Sequence, residues 1–453
     1  MNIKIIVFGL LATVYLSRLI LVLMAGKSPK FLLVSFFLMS IPLHYSIPVF
    51  TPVFSTQAGT FGTQAYIYLP LILLVVAWPF FTFNKDLYYG KSNLWMIFVI
   101  ILIAFSLFNP LTVSNYFVGI FCIFFFSHIL FFKFLLKGFN KVELIKGIFD
   151  GFMVLCVCQF FLAICWPVLG ITSVTTIFHV VGERTATRTG GRPGALGFFV
   201  HPGNLALFTI IATAFFQACF LNNNNKRLSA ALILLNICTI FLTYSRTSYI
   251  VFTLVLLFVY FINKTANKPL FTLKNIFNFV LPAAVISGWI VFLSPLSSLF
   301  LKNDSDVQLD NRMIHWNMAL KIFPTSPLMG VGINSHLEYF SKNFSLFNSM
   351  IIDDEFFWQM PIHNVHLLIL VETGLAGLLL WFIFAVSSIS SAKKDVANNR
   401  NEILSLTHMG LIVAFFLYGI TGWAPLSDSI LPYLLFFSFF TIKYRNFKLP
   451  QLG

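Results

Sequence analysis

Charge is what this sequence has least of. Asp, Glu, Lys and Arg make up only 10% of its 453 residues, where a soluble domain carries roughly a quarter. That deficit excludes an ordinary water-soluble enzyme. Acidic residues are scarcer still, 15 against 29 Lys and Arg. The resulting net charge of +14 does not point to nucleic acid, because no soluble domain carries a basic stripe interleaved with aromatics. Six cysteines are present, Cys122, Cys156, Cys158, Cys165, Cys219 and Cys238. All lie in or at apolar runs, none in a loop where an oxidising compartment would pair it. They read as small buried hydrophobes, and Cys156-x-Cys158 lacks zinc spacing. Long soluble linkers and internal repeats are missing too, so residues 1–453 read as a single transmembrane domain.

What is abundant is apolar. Hydrophobic residues make up 58% of the chain, and Phe alone occurs 57 times. Runs of roughly 17–25 apolar residues cross a bilayer as helices. Such runs, several of them short, stand near 3–25, 31–50, 65–83, 94–108, 116–136, 146–168, 203–221, 229–243, 247–263, 276–296, 364–386, 405–422 and 428–443. The expectation is an all-α polytopic membrane protein with about 12–13 transmembrane helices. The first run has no small-residue cleavage site and reads as a retained helix.

Lys and Arg mark the cytoplasmic loops. Alternate loops, near 26–30, 84–93, 133–146, 222–228, 264–275 and 387–404, together with the C-terminus, hold 19 of the 29 basic residues, 16 of them Lys. The other face holds nine, and Arg18 lies within a span. Five of the nine are Arg: Arg184, Arg188, Arg192, Arg246 and Arg312. Topogenic charge explains the Lys-rich face but not Arg on the opposite one. Arg is the side chain for planar, two-pronged grip on phosphate or carboxylate.

The outer segments carry chemistry. At 183–204 the sequence ERTATRTGGRPGALGFFVHPGN spaces three Arg four apart among Gly and Thr. Glycine lets backbone N–H groups approach an anion, so a diphosphate would fit; Walker spacing is absent. Arg246, in TYSRTSY, falls between two runs and so at the membrane boundary, where a charge is costly and usually functional. In the long outer loop, 297–362, Asp310-Asn311 is expected to cap a short amphipathic helix starting near Arg312. Pro324 and Pro327 should end it and Gly330-Val-Gly332 should turn. Asp304-Ser-Asp306 reads as a solvated acidic turn, and Asp353, Asp354 and Glu355 read likewise. Trp358 is expected to anchor at the interface. His363 stands at the mouth of a span, where an imidazole suits general-base chemistry. His366 is expected on nearly the same helix face, one turn deeper. Glu372 is expected deeper again, orienting a partner or pairing with a buried Arg.

Together these residues resemble the O-antigen ligase and polymerase family of bacterial membrane glycosyltransferases. The strongest signal is His363-Asn364, nine residues, then Gly374-Leu-Ala-Gly377. Arg192-Pro-Gly-Ala-Leu196 matches the family's Arg-x3-Leu, and SRTSY at 245–249 and the block 311–332 also look like family segments. The resemblance spans about 180–380; the first 150 residues match as hydropathy alone. Ligases often continue with two Thr where Leu378 and Leu379 stand here. The resemblance implies a GT-C-like membrane glycosyltransferase in the bacterial cytoplasmic (inner) membrane, its active site facing the periplasm or exterior. It implies an undecaprenyl-diphosphate-linked glycan as donor, and an acceptor glycan or lipid A core as acceptor. It implies membrane lipid and a chain-length regulator protein as partners, inversion at the anomeric carbon, and neither metal nor cofactor. No acidic residue stands in the first outer loop, 51–64, where metal-dependent relatives keep one. His363 is expected as the base or as the residue that positions the acceptor hydroxyl, with His366 as second choice and Arg312 assisting at the diphosphate. Arg192, Arg246, Arg188 and Arg184 are expected on the diphosphate. Polymerisation of repeat units is preferred over ligation to lipid A core or protein glycosylation. A lipid-linked glycan flippase, the reading from another class, would line a cavity open to both faces rather than gather charge on one.

Overall fold

A computed structural model describes residues 3–26, 30–42, 46–48, 66–68, 94–112, 115–169, 194–199, 201–266, 304–343, 361–399 and 402–444. Where the apolar runs are described, they fold almost entirely as helices, because in hydrocarbon each backbone N–H and C=O must find its partner inside the chain. In order these are α1 (Ile3–Met24), α2 (Lys30–Ser40), strands β1 (Ser46–Pro48) and β2 (Tyr66–Tyr68), α3 (Leu94–Phe108), α4 (Asn115–Gly138) and α5 (Lys141–Leu169). There follow α6 (Pro202–Leu221), α7 (Lys226–Leu242), α8 (Arg246–Thr265), α9 (Asp304–Ile322), α10 (His336–Lys342), α11 (Val365–Ala397), α12 (Glu402–Gly419) and α13 (Leu431–Tyr444). Among the described residues, six helices are long and apolar enough to cross a membrane: α4, α5, α6, α8, α11 and α12. The chain is an all-α polytopic membrane protein.

Two expected spans depart from plan. The run over 31–50 is helical only to Ser40, and Ser46–Pro48 pairs antiparallel with Tyr66–Tyr68, Ile47 opposite Ile67. Pro42 explains the stop: it has no N–H to continue the ladder and turns the residue before it out of the helical region. The run over 65–83 thus begins with a strand; its remainder, and the span expected at 276–296, lie outside the described residues.

The core is built from phenylalanine. Phe37 of α2 meets Phe131 and Phe132 of α4 and Phe436 of α13. Phe152 of α5 meets Phe208 and Phe215 of α6 and Phe437 of α13. Stacked, tilted and edge-on rings at these spacings add about 0.5–1.5 kcal/mol per pair beyond area burial. Helix α2 lies close against α5 because Gly147 and Gly151 present no Cβ: one built on Gly147 would stand 2.6 Å from the Phe31 carbonyl oxygen. Between those glycines Asp150 accepts from Arg18 Nη1 (2.9 Å), from Arg18 Nη2 and from Ser35 Oγ (2.6 Å). The arginine inside α1 is therefore paired with α5, and Ser35 of α2 joins the same carboxylate.

Helix α12 packs against α6, α8, α11 and α13. Helix α11 is not straight: Gly374 sits inside it at φ 65°, ψ −167°. His366 and Phe382, which a straight helix would hold about 24 Å apart along its axis, have ring centroids 5.9 Å apart, and both touch Phe416. The element is a helical hairpin that doubles back at Gly374. Its long limb runs antiparallel to α12, with Ser405 bonded to Asp395. The vertex therefore lies at the end of the bundle away from Ala397. Such a turn leaves carbonyls at the end of one limb and N–H groups at the start of the next without helical partners. The segment Pro327–Gly332 crosses the vertex and satisfies both sets. Val331 and Gly332 donate to the Val371 and Glu372 carbonyls (2.9 Å each), while Leu375 and Ala376 donate to Pro327 and Leu328 (2.8 and 3.2 Å). Only glycine fits at the crossing. A Cβ on Gly374 would stand 2.2 Å from the Leu328 carbonyl carbon, and one on Gly330 (φ 69°) would stand 2.3 Å from that of Glu372.

Candidate active site

The hairpin fixes where His363 stands. Asn364, extended at φ −156°, caps the short limb: its Oδ1 accepts from the His366 and Leu367 amides (2.9 and 3.0 Å). Its Nδ2 donates to the Ile420 carbonyl at the end of α12 (3.0 Å). His363 precedes the cap and is not helical, so the three-residue face it was expected to share with His366 does not exist. His366 turns to α12, its Nε2 3.1 Å from the Phe416 carbonyl and its Nδ1 buried without a partner among the described residues. His363 turns the other way, to His315 of α9, with Nδ1 to Nδ1 at 3.2 Å and the rings within 10° of parallel.

The loop helix that supplies His315 is longer than expected. It begins at Asp304, so Asp310 and Asn311 lie inside it, and Asp304-Ser-Asp306 forms its first turn. Acidic residues there favour a helix start through the helix dipole. Arg312 stands three residues before His315 on the same helix. Met318, Ala319 and Ile322 pack with Val331, Leu337, Ile362, Leu368 and Val371, so the loop helix beds on the hairpin. Corner residues of the α3–α4 connection hold the crossing segment from behind: Asn109 Nδ2 donates to the Gly330 carbonyl (2.6 Å), and the Ile333 amide donates to Ser106 (3.1 Å).

Arg246 opens α8. The corner before it is tight, with Tyr244 in the left-handed region at φ 48°. Thr247, beside Arg246, is bonded to Thr421 (3.0 Å), and the neighbouring Ile420 carbonyl is the acceptor for Asn364. Two hydrogen bonds through the end of α12 therefore join the corner bearing Arg246 to the corner bearing His363. The guanidinium Nη2 of Arg246 is buried with no partner among the described residues. Ala195, which follows the Arg-rich segment, donates to the Leu242 carbonyl (2.9 Å), so that segment ends on the same corner. Arg184, Arg188 and Arg192 lie outside the described residues, as do Asp353, Asp354, Glu355 and Trp358.

Among the described residues Glu372 pairs with no arginine, and it does not sit deeper than His366. The chain doubles back two residues on, which puts Glu372 by the vertex. Its Oε1 is 2.6 Å from Nδ1 of His336, a fully buried ring whose Nε2 has no partner among the described residues. Close by in α10, burial pushes the Glu338 carboxyl up, partly offset by Lys342. Sequence reading passed over both His315 and His336. Each is a lone histidine in a loop helix, and its partner stands 48 or 36 residues away.

These features gather Arg246, His315 and His363 at one end of a helical bundle. Residues 231–382, about a third of the chain, match the family model described as O-antigen ligase, which supports membership of the O-antigen ligase and polymerase family. The match covers α8, α9 and the turn of the hairpin, and with them Arg246, His315 and His363. No curated protein gives a match. That family implies a glycosyl-transferring membrane enzyme that works on lipid-linked glycan.

Proposed function

We propose that this enzyme transfers an undecaprenyl-diphosphate-linked glycan to an acceptor sugar on the outer face of the inner membrane, polymerising surface-polysaccharide repeat units. The observation that carries the reading is the joining of the Arg246 and His363 corners, with one guanidinium nitrogen of Arg246 buried and without a partner among the described residues. A buried cationic donor without an acceptor is costly, and a diphosphate would supply one. Helices α8 and α11 both begin at this end, and helix starts favour anions.

In the proposed reaction the acceptor hydroxyl attacks the anomeric carbon as His363 takes its proton. The bond from that carbon to the diphosphate oxygen breaks, and its electron pair leaves with the diphosphate. Arg246, with Arg192 and Arg312, holds the charge that develops there; Arg184 and Arg188 extend the basic field. Attack opposite the leaving group inverts the anomeric centre, and no step calls for a metal. Leu378 and Leu379, in place of a Thr pair, favour polymerisation. The description of the matched family favours the second reading, ligation of finished polymer to lipid A core.

Deletion in the source strain, followed by glycan profiling, separates the two. Single repeats on lipid A core are the expected result for a polymerase. Bare core with accumulated lipid-linked polymer would assign ligation instead, and an unchanged profile would remove both.

A further inference from the structure

His363 and His315 meet through like atoms, Nδ1 to Nδ1 at 3.2 Å. A neutral imidazole carries a single N–H. Two N–H groups cannot face each other at that distance, and two lone pairs form no bond. One Nδ1 therefore carries the proton and the other accepts it. If the proton sits on His315, then Nε2 of a neutral His363 carries a hydrogen and cannot act as a base. If it sits on His363, Nε2 of His363 holds the lone pair.

We propose that His315 is the positioning residue for His363: it accepts the His363 Nδ1–H and so leaves Nε2 to take the acceptor's proton. This rests on His363 being the base. The bond strengthens as the reaction proceeds. Once Nε2 is protonated, the His363 imidazolium donates to a neutral ring, and hydrogen bonds from charged donors are the stronger ones. His315 is 1% exposed, so little water competes. A neutral partner also suits the substrate. A carboxylate would hold the imidazolium more tightly but would repel an arriving diphosphate. The ring is held in place because α9 beds on the hairpin through Met318, Ala319 and Ile322.

The test uses the full-length purified chain with lipid-linked donor. In His315→Phe the acceptor atom is gone, and kcat should fall about 10- to 100-fold, the range for losing a hydrogen bond to a charged group. KM for the donor should stay put, because His315 does not touch the diphosphate in this scheme. His315→Gln keeps an acceptor oxygen and should recover most of the lost kcat. A Phe variant with wild-type kcat would overturn the proposal, as would Phe and Gln variants that lose activity equally. If the Phe protein does not accumulate in membranes, His315→Met takes its place with the same expectations. His363→Ala separates this idea from the one beneath it. Wild-type turnover in that variant removes the base itself. An inactive His363→Ala beside a fully active His315→Phe removes only the pairing.

Discussion

Arg18 and Arg246 are both arginines committed to the membrane region, and their surroundings are opposite. Arg18 meets Asp150 with two nitrogens, and Ser35 completes the cluster. Arg246 begins a helix with one nitrogen buried and no acceptor among the described residues. A charge that the chain itself satisfies holds helices together. A charge left open at the end of a bundle marks where something from outside is received. The two residues look alike in hydropathy, and only the presence of a partner separates them.

The sharpest way to break that contrast is to remove each charge and measure both stability and turnover. Arg246→Ala should cut glycan transfer about 10²–10³-fold, the usual cost of losing one donor to developing negative charge. It should leave the melting temperature unchanged or slightly higher. Arg246→Lys should recover little, since a point charge does not reproduce a planar fork. If Arg246→Lys turns over like wild type, the diphosphate is not held there.

Asp150→Ala should do the reverse. Leaving the half-buried Arg18 without its partner is expected to lower stability, read as earlier thermal aggregation in detergent. Turnover per folded molecule should stay the same. Replacing both partners together, Arg18→Met with Asp150→Leu, should return most of that stability. A double variant as unstable as the single one would mean the pair does more than hold α1 to α5.

The smallest effect concerns Glu338. Its carboxyl is raised by burial, so the folded state binds its proton more tightly than the unfolded chain. The folded state is therefore favoured at acid pH and loses that advantage as pH rises through the folded-state pKa. Glu338→Gln removes the ionisation, and its gain over wild type should grow from acid to neutral pH. A gain of the same size at every pH would place its origin elsewhere.

Much of this was legible from sequence. Apolar runs located the helices from Leu94 to Leu169 and from Pro202 to Thr265 within a few residues, and Arg246 at a boundary followed from the shortness of the gap between two runs. The α11 hairpin was not legible. Its two limbs form one apolar stretch, and the reversal rests on Gly374 alone, a residue that straight membrane helices also tolerate. Missing the reversal misplaced Glu372 and gave His363 and His366 a shared face. Pro42 was visible, but the length of the apolar run around it outweighed it. The His315–His363 bond depends on how the long loop beds down, which no local pattern encodes.

The segment Pro327–Gly332 also sets a unit of exchange. It completes the backbone of α11 across the vertex, and without it the carbonyls and amides of residues 371–376 would face the membrane boundary unsatisfied, at several kcal/mol per group. Swapping the outer loop between related enzymes, to change which acceptor is used, would therefore split one folded piece in two. A transplant should carry residues 304–397 whole, loop helix and hairpin together, with the seam placed in the polar connection before α12.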